Sequence, residues 1–534
     1  MTITEHPAST WEELVSAALL GTTRRRPPVG VGDDRDTAAA ALLDAAAVAT
    51  VRRRAGLVPA RSAPRPAPAP GDPRPLPPPA AQARLRALLN DRSGNGASAS
   101  GRRGSTPSLG ELLPQWLAAA GQHGYRAPDA ALPDLLDAAR ARTDLRPDAL
   151  ALAGPRALWL AELNPDWKFA LRSGNRSAAG DAAADPEAAR RLWEEGLFAE
   201  RVALLSGLRE LDPAAGLALL SGSWAQERAE DRLMFLDALR TGLSQNDEPF
   251  LEQSLTDRSR NVRATAAELL SALPGSALAH RMAERALACV SLDRTGVGPR
   301  IAVEAPYACD TAMERDGLAA SPPPGRGERA WWLGQLVESS PLGIWPAQFG
   351  GRTPEQIAAL AVADDWQPDL HAAWCRAAVR QRDAEWARAL LGPPPVPAGA
   401  VMAAGDPAKL LSVLPEGERA VWVAEFIAGH GLSEAFQLLG ACAVPWAEPL
   451  GRAVVDALDI AREAGSYPWS FSGVMGLAER CLDPALADRL EPLTATPEDA
   501  GDASPGAGGY WSEAFQRLIT TLRLRATMRA ELQQ

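Results

Sequence analysis

Residues 255–273 read Leu255-Thr-Asp257-Arg258-Ser-Arg-Asn-Val262-Arg263-Ala-Thr-Ala-Ala-Glu-Leu-Leu-Ser-Ala-Leu273. Val262, Ala266, Leu269, Leu270 and Leu273 fall at i, i+4, i+7, i+8 and i+11. That spacing makes one helix face, not the alternation of a strand. Pro274 ends the pattern, because a proline inside a helix removes a hydrogen bond and clashes with the preceding turn. Upstream, the same segment begins at Pro249-Phe-Leu-Glu-Gln-Ser-Leu255, and 227–243 places Leu236, Leu239 and Leu243 on one stripe. Before those come Pro213–Ala225, with Leu217, Leu219, Leu220 and Trp224, and a helix-length stretch at 186–209 broken near Gly196. Short breaks separate all four segments, so successive helices must pack as neighbours.

The stretch beginning Leu255-Thr-Asp257-Arg258 and continuing through Val262-Arg263 resembles a HEAT repeat. In that pattern the Asp lies in the turn between paired helices and the Val-Arg pair opens the second helix. The Asp can take up free N–H groups at that helix's start, and the Arg can bridge to a neighbouring turn. One repeat cannot bury both its faces, so the resemblance implies an all-α, HEAT-like solenoid of irregular helix pairs with long Pro/Gly-rich loops.

Working outward gives five regions. Residues 1–58 hold two helices. The first has an apolar face of Trp11, Leu14, Val15, Ala18 and Leu19 and ends at Gly21, followed by Arg24, Arg25 and Arg26. Residues 59–108 are expected to be a flexible segment, with ten prolines in the 21 positions 59–79, a short helix near 80–90 and a Gly/Ser-rich stretch at 93–108. Residues 109–274 are helical and end in the clearest repeat. Residues 275–330 read as a long irregular loop, either a linker or a binding element. Residues 331–534 are a second helical-repeat region, with short helices in pairs and a final stripe of Trp511, Phe515, Leu518, Ile519 and Leu522. No segment reads as a strand.

Three landmarks together resemble an uncharacterised family of bacterial HEAT-like proteins: Trp11-Glu-Glu-Leu-Val-Ser-Ala-Ala-Leu-Leu-Gly21, the run from Glu230-Asp231-Arg232 to Arg258, and Gly327-Glu-Arg-Ala-Trp331-Trp332. Genes of that family typically stand beside those for a MoxR-type AAA ATPase, a von Willebrand factor A protein and a SWIM zinc-finger protein. The resemblance therefore implies protein partners and no assigned chemistry.

Composition narrows the function classes. The 534 residues carry a net charge of −11 with 46% hydrophobic residues, too long for one compact core. All basic residues are arginine except Lys168 and Lys409, a bias that reads as high-GC coding and not as function. Residues 1–126 hold 16 Lys+Arg against 10 Asp+Glu; the remaining residues hold 39 against 56, net −17. An acidic body disfavours non-specific nucleic-acid binding. Five widely spaced cysteines without a CxxC fit free thiols in a reducing, cytoplasmic setting, and no apolar run is long enough to span a membrane.

Chemical motifs are missing. Lys168 precedes Phe169 and Lys409 precedes Leu410, so there is no P-loop. No G-x-S-x-G, S-x-x-K, H-E-x-x-H or G-x-G-x-x-G occurs. His371 and Cys375, at i and i+4, could share a helix face, but the expected role is core packing, and no metal or other cofactor is expected. Asp364-Asp365 before Trp366 reads as a helix cap. The sequence thus favours a non-catalytic protein-interaction scaffold, with a MoxR-type ATPase and a von Willebrand factor A protein as partners. The alternative is a HEAT-type nucleic-acid-processing enzyme resembling a DNA glycosylase. The partner-binding candidates are Arg24, Arg25, Arg26, Asp257, Arg258, Arg263, Trp331 and Trp332. For the arginine trio, a grip on an acidic partner and a favourable charge at the helix C-terminus are both open.

Overall fold

Proline divides this chain into short helices. Asp185-Pro186, Asp212-Pro213, Asp406-Pro407 and Asp483-Pro484 each open a helix, and in each the Asp side chain accepts a backbone N–H of the first turn. The proline costs nothing there, because its missing N–H would have had no partner within the helix, while the Asp satisfies one of the free donors. Thr353-Pro354 works the same way, closed by Gln356 in a capping box. The computed structural model describes residues 11–25, 35–56, 66–94, 109–171, 182–296, 298–394, 406–495 and 506–533.

The chain divides into two compact units, residues 1–69 and 70–534. In the first, helices Trp11–Leu20 and Arg35–Ala55 pack through Leu14, Ala17 and Leu42, and the Arg53 guanidinium lies over the Trp11 ring. Of the apolar face expected on the first helix, only Leu14 is buried; Trp11, Val15, Ala18 and Leu19 are exposed. So short a helix meets a single partner helix along one narrow line.

The second unit is a solenoid-like helical repeat, packed pairwise in sequence order. Helix Phe198–Leu211 packs on Ala229–Ala238, which packs on Arg260–Ser271. The stack continues through Ala277–Cys289, Glu328–Ser339 and Gln367–Gln381 to Pro407–Val413. Helices Glu416–Leu439 and Glu448–Glu463 form the next pair, and the first of them is interrupted at Gly431, where φ is 79°. The face read from the sequence at 262–273 is buried throughout.

One apolar core runs along this stack from Ala189 to Leu522. A second joins residues 81–170 to Met528 and Leu532. The C-terminal helix Ala507–Gln533 serves both: Trp511, Phe515, Leu518, Ile519 and Leu522 face the first, while Met528 and Leu532 face the second. The early helices therefore dock at the C-terminal end of the array. Arg84 pairs with Glu531 at 2.7 Å, the Tyr125 hydroxyl donates to the Leu532 carbonyl at 3.0 Å, and Gln115 donates to the Arg480 carbonyl at 2.7 Å.

Three expectations need correction. Within 59–108 the helix expected near 80–90 is present as Pro79–Gly94, and it belongs to the packed fold, putting Ala81, Leu85, Leu88 and Leu89 into the second core, while residues 95–108 of the Gly/Ser-rich stretch lie outside the described residues. The proline-rich segment before it is held as well. Arg74 pairs with Asp72 and donates to the carbonyls of Ala151, at 2.7 Å, and Leu152, at 3.3 Å.

Residues 275–330 are not an irregular loop. They contain helix Ala277–Cys289, the antiparallel strands β1 (Val290–Asp293) and β2 (Arg300–Val303) and helix Thr311–Arg315. Ile301 also exchanges backbone hydrogen bonds with Ala361 and Ala363. The hairpin is held at its mouth by Asp293, whose carboxylate accepts from the Thr295 backbone N–H and hydroxyl and from Arg300. Those donors, the Thr295 hydroxyl foremost, lower its pKa to about 2. Asp364 and Asp365 occupy left-handed turn positions, φ 53° and 59°, and the N-cap position of the following helix belongs to Trp366.

Candidate functional site

Most of the residues nominated from sequence make contacts within the fold. Asp257 lies in the turn before helix Arg260–Ser271, where its carboxylate accepts the Ser259 backbone N–H at 2.8 Å and Arg232 Nη1 at 2.6 Å. Asp257 thus does what the repeat pattern implied, but its bridging arginine comes from the previous helix. Arg263 turns back on its own turn, donating to the Asp257 and Arg258 carbonyls. The Arg258 side chain is exposed.

Trp331 and Trp332 are also fasteners. Their indole N–H groups donate to the carbonyls of Ala319, at 2.7 Å, and Ala320, at 2.8 Å, pinning the Pro-rich turn that follows. Gln335 accepts the Ala319 N–H, and Arg329 donates to the Ala305 carbonyl. Trp332 is buried and Trp331 half-buried, so both indole N–H groups are engaged within the fold while part of the Trp331 ring faces outward.

Arg24 and Arg25 are exposed just past the first helix; both backbone N–H groups donate to the Gly21 carbonyl, and Arg25 Nη1 reaches the Ser16 hydroxyl at 2.7 Å. Arg26 lies outside the described residues. His371 sits beside Trp374, ring centroids 5.7 Å apart, with its pKa lowered by burial. Burial pushes the neighbouring Cys375 thiol up to about 11. The raised thiol opposes metal ligation by a thiolate, whereas the lowered imidazole only keeps His371 neutral. Among the described residues no group of three or more His, Cys, Asp or Glu side chains is placed to hold a metal ion.

The structure assembles a site that no single stretch of sequence announces. A groove of about 950 Å3 opens between Arg240–Leu243, the end of helix Arg260–Ser271, helix Gln367–Gln381 and the start of helix Pro407–Val413. Among the described residues five cations line it, Arg240, Arg376, Arg380, Arg382 and Lys409, with Glu268 and Asp406 as acidic lining residues. Arg240 is neutralised, with a bidentate pair to Glu268 at 3.1 Å and a bond to Asp237 at 2.8 Å. Its guanidinium pKa is raised, first by the Glu268 hydrogen bonds. Lys409 stands 3.8 Å from Asp406, both exposed.

The positive excess gathers at the end of helix Gln367–Gln381. Arg376 and Arg380 share the single carboxylate of Glu338. Arg382 is exposed and has no ion-pair partner among the described residues. It also holds the left-handed conformation, φ 52° and ψ 41°, that ends the helix. Glycine fits that position without strain, whereas a side chain costs energy there. Gln381 braces the segment, donating to the Ser340 carbonyl at 2.8 Å and accepting from the Leu342 N–H at 3.0 Å. Three arginines against one glutamate make a rigidly mounted, cationic wall.

No helix among the described residues is long and apolar enough to cross a membrane. No curated protein and no solved structure matches the chain. One family model does, over residues 13–532, and its description is a family of unknown function.

Proposed function

The chain belongs to the DUF5691 family of unknown function, and from that premise we propose that it is a non-catalytic scaffold whose groove receives an acidic segment of a partner protein. The cluster of Arg376 and Arg380 on one Glu338, with Arg382 lining the same groove, carries this reading. On a chain of net charge −11 a local cationic wall runs against the overall charge. Guanidinium groups suit the recognition of carboxylates, because their fork matches both oxygens. The groove is mounted on packed helices, so its geometry is set before a partner arrives, which lowers the cost of binding.

The partners proposed are the MoxR-type AAA ATPase and the von Willebrand factor A protein whose genes accompany the resembling family. The test is co-purification of the full chain with both. Wild-type protein should retain one of them, and Arg376→Glu/Arg380→Glu/Arg382→Glu should lose it. Recovery of the wild-type chain alone would overturn the reading. The nucleic-acid alternative draws on the same cations, but residues 127–534 carry 39 Lys+Arg against 56 Asp+Glu, and that field repels a polyanion. Binding of duplex DNA at low salt, weakening steeply as salt rises, would favour the alternative instead.

A further inference from the structure

Among the described residues two arginines are almost completely buried, and one of them has a counter-ion. Arg209, 1% exposed, is paired with the Asp247 carboxylate. Arg525, 2% exposed, has no carboxylate partner among the described residues. Its Nε donates to the Gln115 side-chain oxygen at 2.8 Å, and its Nη1 to the carbonyls of Leu482, at 2.6 Å, and Glu479, at 3.2 Å. Its Nη2 is buried without a partner. Burying an unpaired guanidinium is costly unless a negative group completes it.

Arg525 lines a cavity of about 490 Å3, formed where the C-terminal helix meets helix Leu113–Gln122 and closed on another side by Val444 and Pro445. Trp116 also lines it, and its indole N–H is a second buried donor with no partner. Trp345 and Trp374 have such indoles too, but they lie in a cluster of rings with Phe349 and Trp386. An aromatic face can receive an N–H there. Trp116, fully buried, belongs to no such ring cluster among the described residues and forms part of the cavity wall instead. Gln122, His123 and Arg529 complete the polar lining with Gln115 and Gln533, and no Asp or Glu is among the described lining residues.

We propose that this cavity binds a small oxyanion, a carboxylate or phosphate group held by Arg525 Nη2 and the Trp116 indole, with Arg529 at its edge. The cavity has the volume of a metabolite site and a few convergent donors in an otherwise apolar wall. Burial, reinforced by Arg529, lowers the Arg525 guanidinium to about 10, the direction a bound anion would reverse. Because the site joins the 79–171 helices to the end of the repeat array, its occupant also fastens that junction.

The test uses the full chain and two probes, inorganic phosphate and succinate, by calorimetry and thermal melting against chloride at matched ionic strength. One of them should bind saturably at one site and raise the melting temperature, and which one does so identifies the oxyanion. Trp116→Phe and the exposed Arg529→Gln should each weaken it about tenfold, the factor lost with one charge-assisted hydrogen bond. The groove variant Arg376→Glu/Arg380→Glu/Arg382→Glu should bind the probe like wild type, so this site and the groove succeed or fail separately. Absence of saturable binding would overturn the proposal and leave an ordered water as the occupant. Equal binding by wild type, Trp116→Phe and Arg529→Gln would overturn it too, leaving an adventitious surface ion only.

Discussion

Arg209 and Asp247 meet in a bidentate pair, Nη1 and Nη2 each 2.8 Å from a carboxylate oxygen, with both side chains 1% exposed. The guanidinium also donates to the carbonyls of Pro213, Thr241 and Gly242, at 2.8 to 2.9 Å. Asp247 in turn accepts the Ser244 backbone N–H at 2.9 Å. One ion pair therefore fixes the end of helix Phe198–Leu211 to the turn that forms a rim of the groove. Asp247→Ala leaves a buried guanidinium uncompensated and should cost about 3–5 kcal/mol. A wild-type urea midpoint for that variant would contradict the burial described.

Asp257 and Arg258 are neighbours with opposite expectations. Asp257→Ala removes the partner of Arg232 and of the Ser259 N–H, and should cost about 1–3 kcal/mol. Arg258→Ala touches an exposed side chain and should stay within about 0.5 kcal/mol of wild type. Comparing their thermal melting separates a structural ladder from a partner-binding one. If Asp257→Ala melted like wild type but lost a partner, the ladder would belong to the interface.

That contrast marks the boundary of what the sequence discloses. Helix faces were legible because 3.6-residue periodicity is local: Val262 to Leu273 and Trp511 to Leu522 are buried as their spacing requires. The Asp-Pro helix openings were equally local, though only recognition of the repeated dipeptide would have used them. The β-hairpin at 290–303 was not legible, since four-residue strands are too short to show alternation. That the Trp331 and Trp332 indoles fasten the turn at Ala319 and Ala320 was not legible, because bulk is visible in a sequence and those carbonyls are not. The groove and the Arg525 cavity draw on segments more than a hundred residues apart, and nothing in one segment specifies the other.

The cysteines make a chemical prediction. Burial pushes the thiols of Cys375 and Cys442 up to about 11, against the pull of Arg376 and Arg419. Cys481 is raised by burial as well. A thiol that stays protonated is a poor nucleophile, so at pH 8 these three should react with a disulfide reagent only on unfolding. Cys289 and Cys309, partly exposed, should react first. The native state holds those protons more tightly than the unfolded chain, so this contribution to stability is full below about pH 8.5 and is lost as pH rises toward 11. Mass spectrometry of the labelled native protein checks the order; early labelling of Cys375 would show that the groove wall opens.

Arg382 offers the sharpest separation of stability from binding. It holds φ 52° at the end of helix Gln367–Gln381, where glycine would sit without strain. Arg382→Gly should therefore raise the unfolding midpoint, by about 1 kcal/mol or slightly more. It should also weaken capture of the acidic partner, because the groove wall loses a cation that has no ion-pair partner among the described residues. A strained residue whose relief stabilises the fold but impairs binding is held there for the binding. Two measurements on one variant decide the matter, chemical denaturation and partner retention. A more stable Arg382→Gly protein that retains its partner fully would remove Arg382 from the site and leave Arg376 and Arg380 to carry it.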